Sequence, residues 1–422
     1  MWSNFIQYYK DPCLVANFQE YFGIRIHYNN DEINSLKDVS DIVENTNGYA
    51  DNTKRVLRNK KVIYDQSSVY QQSDENTRPS PSRKSSKPFS IQNSFWYYLF
   101  LFGTELGDEI FYTSFIPFWF WNIDGAVGRR IVLVWATTMS IGQALKDVLC
   151  WPRPSCPPAV RVQEKWSLEY GMPSTHAMIA VAIPFSVLIF TMNRYVYPFY
   201  VGLLIAMLWC TLICMSRIYL GMHTVLDIFA GLTLAVGIMI PLVPLVDALD
   251  HHFLSNNWAI LALVLVSIAS VIYYPCSDKW TPTRGDTTLV IAVTTGIYVG
   301  AWMNFKTGAL TMPQEPPPYD IIWPSYPMIG RTVLRTVLGF CCILGTKALC
   351  KSLSYATLCA ILKINSKELM QSEDSLDNKN KILVDLVYKY IACFLIGVNI
   401  LYVLPNVFTM IGIERPTFYT EL

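Results

Sequence analysis

From Phe95 onward the chain repeats one pattern, in which apolar stretches of membrane-crossing length alternate with short polar or Pro- and Gly-containing turns. About 20 apolar residues suffice to cross the hydrocarbon core as a helix, and a chain in lipid must satisfy its own backbone. Nine such stretches fall at roughly 95–121, 129–149, 176–193, 197–216, 226–246, 257–274, 287–305, 330–350 and 384–412. They predict an all-α, polytopic membrane bundle of about eight to ten transmembrane helices. Composition agrees, with 52% hydrophobic and only 15% charged residues. Lys+Arg 33 against Asp+Glu 32 leaves a net charge of +1, too little to attract nucleic acid. The 12 Trp and 25 Tyr suit a bilayer interface, and most of the 11 Cys sit in apolar stretches as free thiols.

The residues before the bundle read differently. MWSNFIQYYKDPCLVANFQEYFGI lacks a basic start and an uninterrupted apolar run, so it suggests a short amphipathic helix on the membrane rather than a signal peptide. From about Asn29 to Gln92 the chain is polar, without apolar periodicity, which is the composition of a disordered tail. The expected organisation is an amphipathic segment and tail over 1–92, a core over 93–275 carrying the polar motifs, and additional transmembrane helices over 276–422. Thr104-Glu105-Leu106-Gly107-Asp108-Glu109 interrupts the first apolar stretch. Carboxylates at membrane depth cost up to about 3 kcal/mol each unless they face a cavity or a partner. A broken helix is expected there.

Three segments carry polar residues that membrane insertion disfavours. Lys146 and Arg153 end the second stretch, in Lys146-Asp147-Val148-Leu149-Cys150-Trp151-Pro152-Arg153-Pro154. Met172-Pro173-Ser174-Thr175-His176 opens the third, where a Ser or Thr caps a helix whose first-turn amides are free to bind an anion. Ser216-Arg217 through His223 to Asp227 joins the fourth to the fifth, with His223 and Asp227 one helical turn apart. If the second to fifth stretches each cross once, all three segments emerge on one side. Alone, each basic residue reads as an interfacial anchor and each histidine as a packed side chain. Their convergence favours a site.

Lys146, Arg153 and Arg217, with Ser174 and the helix-start amides, match the equatorial oxygens of a transferring phosphoryl group. The expected substrate is a phosphoester. His223, oriented by Asp227, is the expected nucleophile on phosphorus, and His176 the acid that protonates the departing alkoxide and then deprotonates water. A third metal ligand at plausible spacing is missing and the surrounding cations repel a metal, so no metal and no cofactor are expected.

These segments resemble the signature of the type 2 phosphatidic acid phosphatase superfamily, Lys-x6-Arg-Pro, Pro-Ser-Gly-His and Ser-Arg-x5-His-x3-Asp. Lys146, Arg153, Pro154, Pro173, Ser174, His176, Ser216, Arg217, His223 and Asp227 match at the family spacing, and Thr175 stands where the common pattern has Gly. The surrounding Phe102-Gly103-Thr104-Glu105-Leu106-Gly107, Trp151-Pro152-Arg153-Pro154 and Thr283-Arg284-Gly285-Asp286-Thr287 are similar to the sphingosine-1-phosphate phosphatase branch, which also uses Thr in the second motif. The resemblance implies a metal-independent phosphatase of sphingosine 1-phosphate and related sphingoid-base 1-phosphates, acting through a phosphohistidine. It further implies an endoplasmic reticulum membrane enzyme with a lumen-facing site, phosphate held by Lys146, Arg153, Ser174, Thr175 and Arg217, and the lipid bilayer as partner. Arg129, Arg130 and Arg194, on the opposite face, agree with that orientation. Other lipid or sugar phosphatases of the superfamily, acting on phosphatidic acid or glucose 6-phosphate, remain alternatives, as does a catalytically silent transporter or scaffold.

A sphingoid phosphate carries an ammonium that phosphatidic acid lacks. Glu105 or Asp108 is one candidate partner for it. The competing reading makes Thr104 to Glu109 a polar turn paired with a Lys or Arg from a neighbour.

Overall fold

The computed structural model of the chain describes residues 2–26, 89–163, 165–275, 277–313 and 315–421. The polar tail expected between Asn29 and Pro88 lies outside them. The described residues are mostly helical and fall in two compact units, one within 20–94 and one within 1–19 and 95–422. In the smaller unit β1 (Ile24–Ile26) pairs antiparallel with β2 (Phe89–Ile91), Ile24 opposite Ile91. Phe89–Ile91 was expected to belong to the tail. Its alternation of Phe and Ile about Ser90 suits a strand once a partner strand is present.

The larger unit opens with α1 (Trp2–Lys10) and α2 (Pro12–Tyr21), the latter reaching just into the smaller unit. The first apolar stretch is broken, as α3 (Ser94–Glu105) and α4 (Glu109–Asn122). The break has a local cause: Asp108 is the N-cap of α4, its carboxylate accepting from the Glu109 amide. The same device starts α5 (Gly125–Leu149), where Asp124 accepts from Val127 N, and α6 (Thr175–Thr191), where Ser174 Oγ accepts from Ala177 N. Then follow α7 (Phe199–Tyr219) and α8 (Val225–Ser255), which opens on a reciprocal capping box between Thr224 and Asp227. Next come α9 (Asn257–Ile272), α10 (Thr283–Lys306), α11 (Tyr326–Leu362), α12 (Ser366–Gln371), α13 (Lys379–Val398) and α14 (Leu404–Met410). Among the described residues five helices are long and apolar enough to cross a membrane: α7, α8, α10, α11 and the continuous run Lys379–Met410. The chain is a multi-pass membrane protein.

Two helices outrun the stretches expected for them. α8 continues from 246 to Ser255 and α11 from 350 to Leu362, because the signals that stop them, the Asn256 cap and the left-handed Lys363, stand beyond the apolar run. The boundary expected at 275/276 does not separate compact units either. α10 packs along α13 and against α5, so the later helices share a core with the earlier ones, through Trp121, Trp135, Ile297 and Ile400. The alternating directions of α5 to α8 put the end of α5, the start of α6, the end of α7 and the start of α8 together.

At the other end the basic residues are paired rather than free. Arg129 meets Asp250 at 2.9 Å in a buried pair, Arg130 meets Asp247 and Arg194 meets Asp124, both at 2.5 Å. Burial pushes the Asp124 carboxyl up, but the Arg194 guanidinium and the hydrogen bonds it accepts outweigh that and hold it below its ordinary value.

Candidate active site

α5 ends in Lys146 and turns at Cys150, whose φ of 49° and amide bond to Lys146 O close the helix. The chain then presents Arg153. Its Nε donates to Glu169 O at 2.9 Å and its Nη1 to Met222 O at 2.8 Å, so the guanidinium is fixed by two different loops. That Nη1 lies 3.5 Å from Nε2 of His223. Lys146 Nζ, almost wholly buried, donates to Glu169 Oε2 at 2.5 Å and to the Thr175 hydroxyl at 3.0 Å. Thr175, which departs from the common pattern, thus anchors a cation. Arg217, also buried, donates from Nη1 to Thr104 Oγ1 at 2.6 Å, while its Nε has no hydrogen-bond partner among the described residues.

The turn between α7 and α8 depends on Gly221, whose φ of +68° lies in the left-handed region. A Cβ there would strike the Val160 carbonyl. The turn and the 151–174 loop are stitched together, since Val162 N donates to Leu220 O at 3.1 Å and Gln19 bridges both. The Gln19 amide donates to Val160 O at 2.7 Å and Tyr219 O at 2.8 Å and accepts from Val160 N.

His223 is buried, and its Nδ1 stands 3.8 Å from Asp227 Oδ2. That separation is beyond hydrogen-bond length. The expected orienting bond is therefore absent among the described residues, and the reason is local: Oδ2 accepts from the Thr224 amide at 2.7 Å within the capping box. Nδ1 of His223 and Oδ1 of Asp227 are both buried without a hydrogen-bond partner among the described residues. Asp227 also fixes the second motif, its carbonyl accepting from Ser174 N at 3.1 Å. Burial first, then Arg153 and Arg217, hold the His223 imidazole well below its ordinary value, so it is neutral at physiological pH. Burial pushes the Glu169 carboxyl up, but Lys146 and Arg153 outweigh it and leave it below the usual range. The first-turn amides of Thr175 and His176 have no hydrogen-bond partner among the described residues.

Of the sequence-derived candidates, Lys146, Arg153, Ser174, Thr175, His176, Arg217, His223 and Asp227 come together. Of the two candidate amine partners, Asp108 lines the cavity below the site but is engaged as the polar-turn reading has it, and Glu105 does not line it. Thr104 faces Arg217, and one helical step of about 100° turns Glu105 away to an exposed position outside the cavity. Asp108 is paired with Lys165 at 2.8 Å in addition to its cap. Sequence reasoning missed Glu169, a lone carboxylate in a loop with no spacing to mark it, and Thr104, whose polarity had been credited to the neighbouring acids.

Below the motifs a cavity of about 260 Å³ runs between α4, α5, α6, α10, α11 and α13. Its head holds Glu169, Thr175 and His176; its walls are largely apolar, through Ile116, Trp135 and Ile179 among others. His176 is pressed against Gly107, where a Cβ would come within 2.9 Å of its ring. Its Nε2 is buried without a partner. A group of cations, a neutral imidazole and free helix amides over an apolar cavity can receive a phosphate whose remainder is hydrophobic.

Residues 128–251 match the PAP2 superfamily. The chain is similar to Sphingosine-1-phosphate phosphatase 1 of Rattus norvegicus, 36% identical over 77% of this chain and 74% of that one. It is likewise similar to Sphingosine-1-phosphate phosphatase 2 of Homo sapiens, 35% identical over 77% of this chain and 80% of the relative. Dihydrosphingosine 1-phosphate phosphatase YSR3 of Saccharomyces cerevisiae is 25% identical over 63% and 65%. No solved structure gives a significant match.

Proposed function

Because this chain belongs to the PAP2 superfamily and within it to the sphingosine-1-phosphate phosphatases, we propose that it is a phosphoric monoester hydrolase of sphingoid-base 1-phosphates. The observation that carries the reading is the 3.5 Å approach of His223 Nε2 to the Arg153 guanidinium, beside buried Lys146 and Arg217. A phosphoryl group held by these cations and by the Thr175 and His176 amides would lie against a neutral imidazole nitrogen.

In the proposed reaction His223 Nε2 forms a bond to phosphorus as the ester P–O bond breaks, and His176, carrying a proton brought in with the phosphate monoester, gives it to the departing alkoxide. Neutral His176 then takes a proton from water as the water oxygen attacks phosphorus and the P–N bond breaks. Inorganic phosphate leaves and both histidines regain their starting protonation. Ser174 acts through the helix it caps, while Asp227 fixes the turn and lies close enough to stabilise a charged imidazole. The apolar cavity suits the lipid chain. The endoplasmic reticulum membrane is the location the family resemblance implies, and the three arginines at the opposite end support a site facing the lumen.

The test assays purified protein on sphingoid-base 1-phosphates, phosphatidic acid and glucose 6-phosphate, alongside His223→Ala. Sphingoid phosphates should be turned over fastest and His223→Ala should be inactive while folded. Near-normal activity in that variant would defeat the covalent route, and preference for glucose 6-phosphate would defeat the substrate reading. In sealed microsomes, activity on a water-soluble substrate should be latent until the membrane is permeabilised.

A further inference from the structure

The Thr283-Arg284-Gly285-Asp286-Thr287 segment takes no role in the phosphate chemistry, yet most of it is structurally committed. Thr281 donates to Asp147, next to Lys146, at 3.2 Å, and Thr283 donates to the same carboxylate, which ties the start of α10 to the end of α5. The Arg284 guanidinium donates to Val271 O at 3.0 Å and Ile272 O at 3.3 Å, closing the end of α9. Gly285 lets Lys389 of α13 approach, since a Cβ there would collide with its ammonium. Asp286 is different. Its Oδ2 is buried without a hydrogen-bond partner among the described residues, and the side chain lines the cavity that His176 heads.

Two more acceptors line the same cavity. Gln143 of α5, one turn before Lys146, is only 4% exposed, and its Oε1 also lacks a partner among the described residues. Glu109 of α4, an exposed residue at the cavity wall, follows the Asp108 cap, two residues from the Gly107 that abuts His176. Two cations, Lys347 and Lys389, share the cavity, but neither they nor Asp286 and Glu109 form an ion pair among the described residues. A buried acceptor without a donor costs about 1–3 kcal/mol, so Asp286 Oδ2 and Gln143 Oε1 call for a donor from elsewhere.

We propose that Asp286, Gln143 and Glu109 form the ammonium-binding subsite of the lipid cavity, three acceptors from three helices for the N–H donors of a sphingoid base. The inference rests on the sphingoid-phosphate reading above and replaces Glu105 and Asp108 in that role. Phosphate at the cationic head and an amine one carbon further along the chain would then be read together. A phosphoester lacking the amine would gain nothing from the subsite.

The test compares a sphingoid-base 1-phosphate with a straight-chain alkyl phosphate of equal length, on wild type, Asp286→Asn, Asp286→Glu and Gln143→Leu. Wild-type turnover of the sphingoid phosphate checks the substrate reading by itself. For the subsite, Asp286→Asn should lower kcat/KM on the amine substrate by about thirty-fold or more, as expected when one partner of a buried charge contact is lost. Its activity on the alkyl phosphate should stay within about two-fold of wild type, and this substrate reports that the variant is folded. Asp286→Glu should recover some of the loss, and Gln143→Leu should show the same selectivity more weakly. Equal losses on the two substrates, or an unchanged ratio between them in Asp286→Asn, overturn the proposal.

Discussion

Replacing Glu169 by Gln tests the carboxylate that pairs with two cations of the proposed phosphate cradle. Its carboxylate lies 2.5 Å from Lys146 Nζ and 3.8 Å from Arg153 Nη2, and all three side chains are 6% exposed or less. Unit charges at 4 Å interact by about 4 kcal/mol at an effective dielectric of 20. Breaking a buried pair by neutralising one partner costs about 3–5 kcal/mol, because the remaining charge stays buried. Gln keeps the size of the side chain and can still accept from Lys146, so the expected cost is at the low end, about 3 kcal/mol. That is a large share of a stability of about 5–15 kcal/mol. The loss should be conditional. A phosphate dianion offers Lys146 and Arg153 the charge that Glu169 no longer supplies, so ligand binding stabilises the variant more than the wild type. Thermal unfolding in detergent should show a lower Tm for Glu169→Gln without ligand and a gap that narrows as inorganic phosphate is added. In turnover, KM should not rise, whereas kcat should fall by about ten-fold or more as cation positions blur and product phosphate is held longer. A Tm deficit of the same size at every phosphate concentration, or a raised KM with kcat intact, would refute the view that Glu169 stands in for substrate charge.

Two further outcomes follow from the same groups. The folded-state pKa of His223 is depressed, so the neutral nucleophile persists as pH falls past the ordinary histidine value of about 6.5; the acid limb of kcat/KM should lie below that value, and a limb centred above it would contradict the burial argument. Arg217→Lys keeps a charge but loses the planar fork that reaches Thr104 with one nitrogen and leaves Nε for phosphate, so kcat/KM should drop by about ten-fold or more, with Thr104→Val giving a smaller loss; full activity in Arg217→Lys would reduce that residue to a point charge.

What the sequence made legible follows from where each signal is stored. Apolar length is a local property, so helices could be read wherever the chain was apolar for long enough; among the described residues five of them are long enough to cross, the first stretch is split, and two ends, set by Asn256 and Lys363, lie beyond the apolar run. The candidate site was legible because Lys146 with Arg153, Ser174 with His176, and Arg217 with His223 and Asp227 each fall within one short segment of fixed spacing. Where a residue's neighbours come from distant segments, spacing carries nothing. Glu169 acquires meaning only when Lys146 and Arg153 converge on it, and Gln143 and Asp286 become acceptors of one cavity only when α5 and α10 are packed side by side. The expected partners of the amine show the same limit from the opposite direction. The cost of acids in the first apolar stretch was real, but composition could not say which acid met which neighbour. Asp108 and Glu109 both reach the cavity wall, but Asp108 is engaged by its cap and by Lys165, and a single helical step turned Glu105 outward. A polar residue's cost in a membrane identifies the segment that matters, and the phase of the helix decides which member of that segment faces the chemistry.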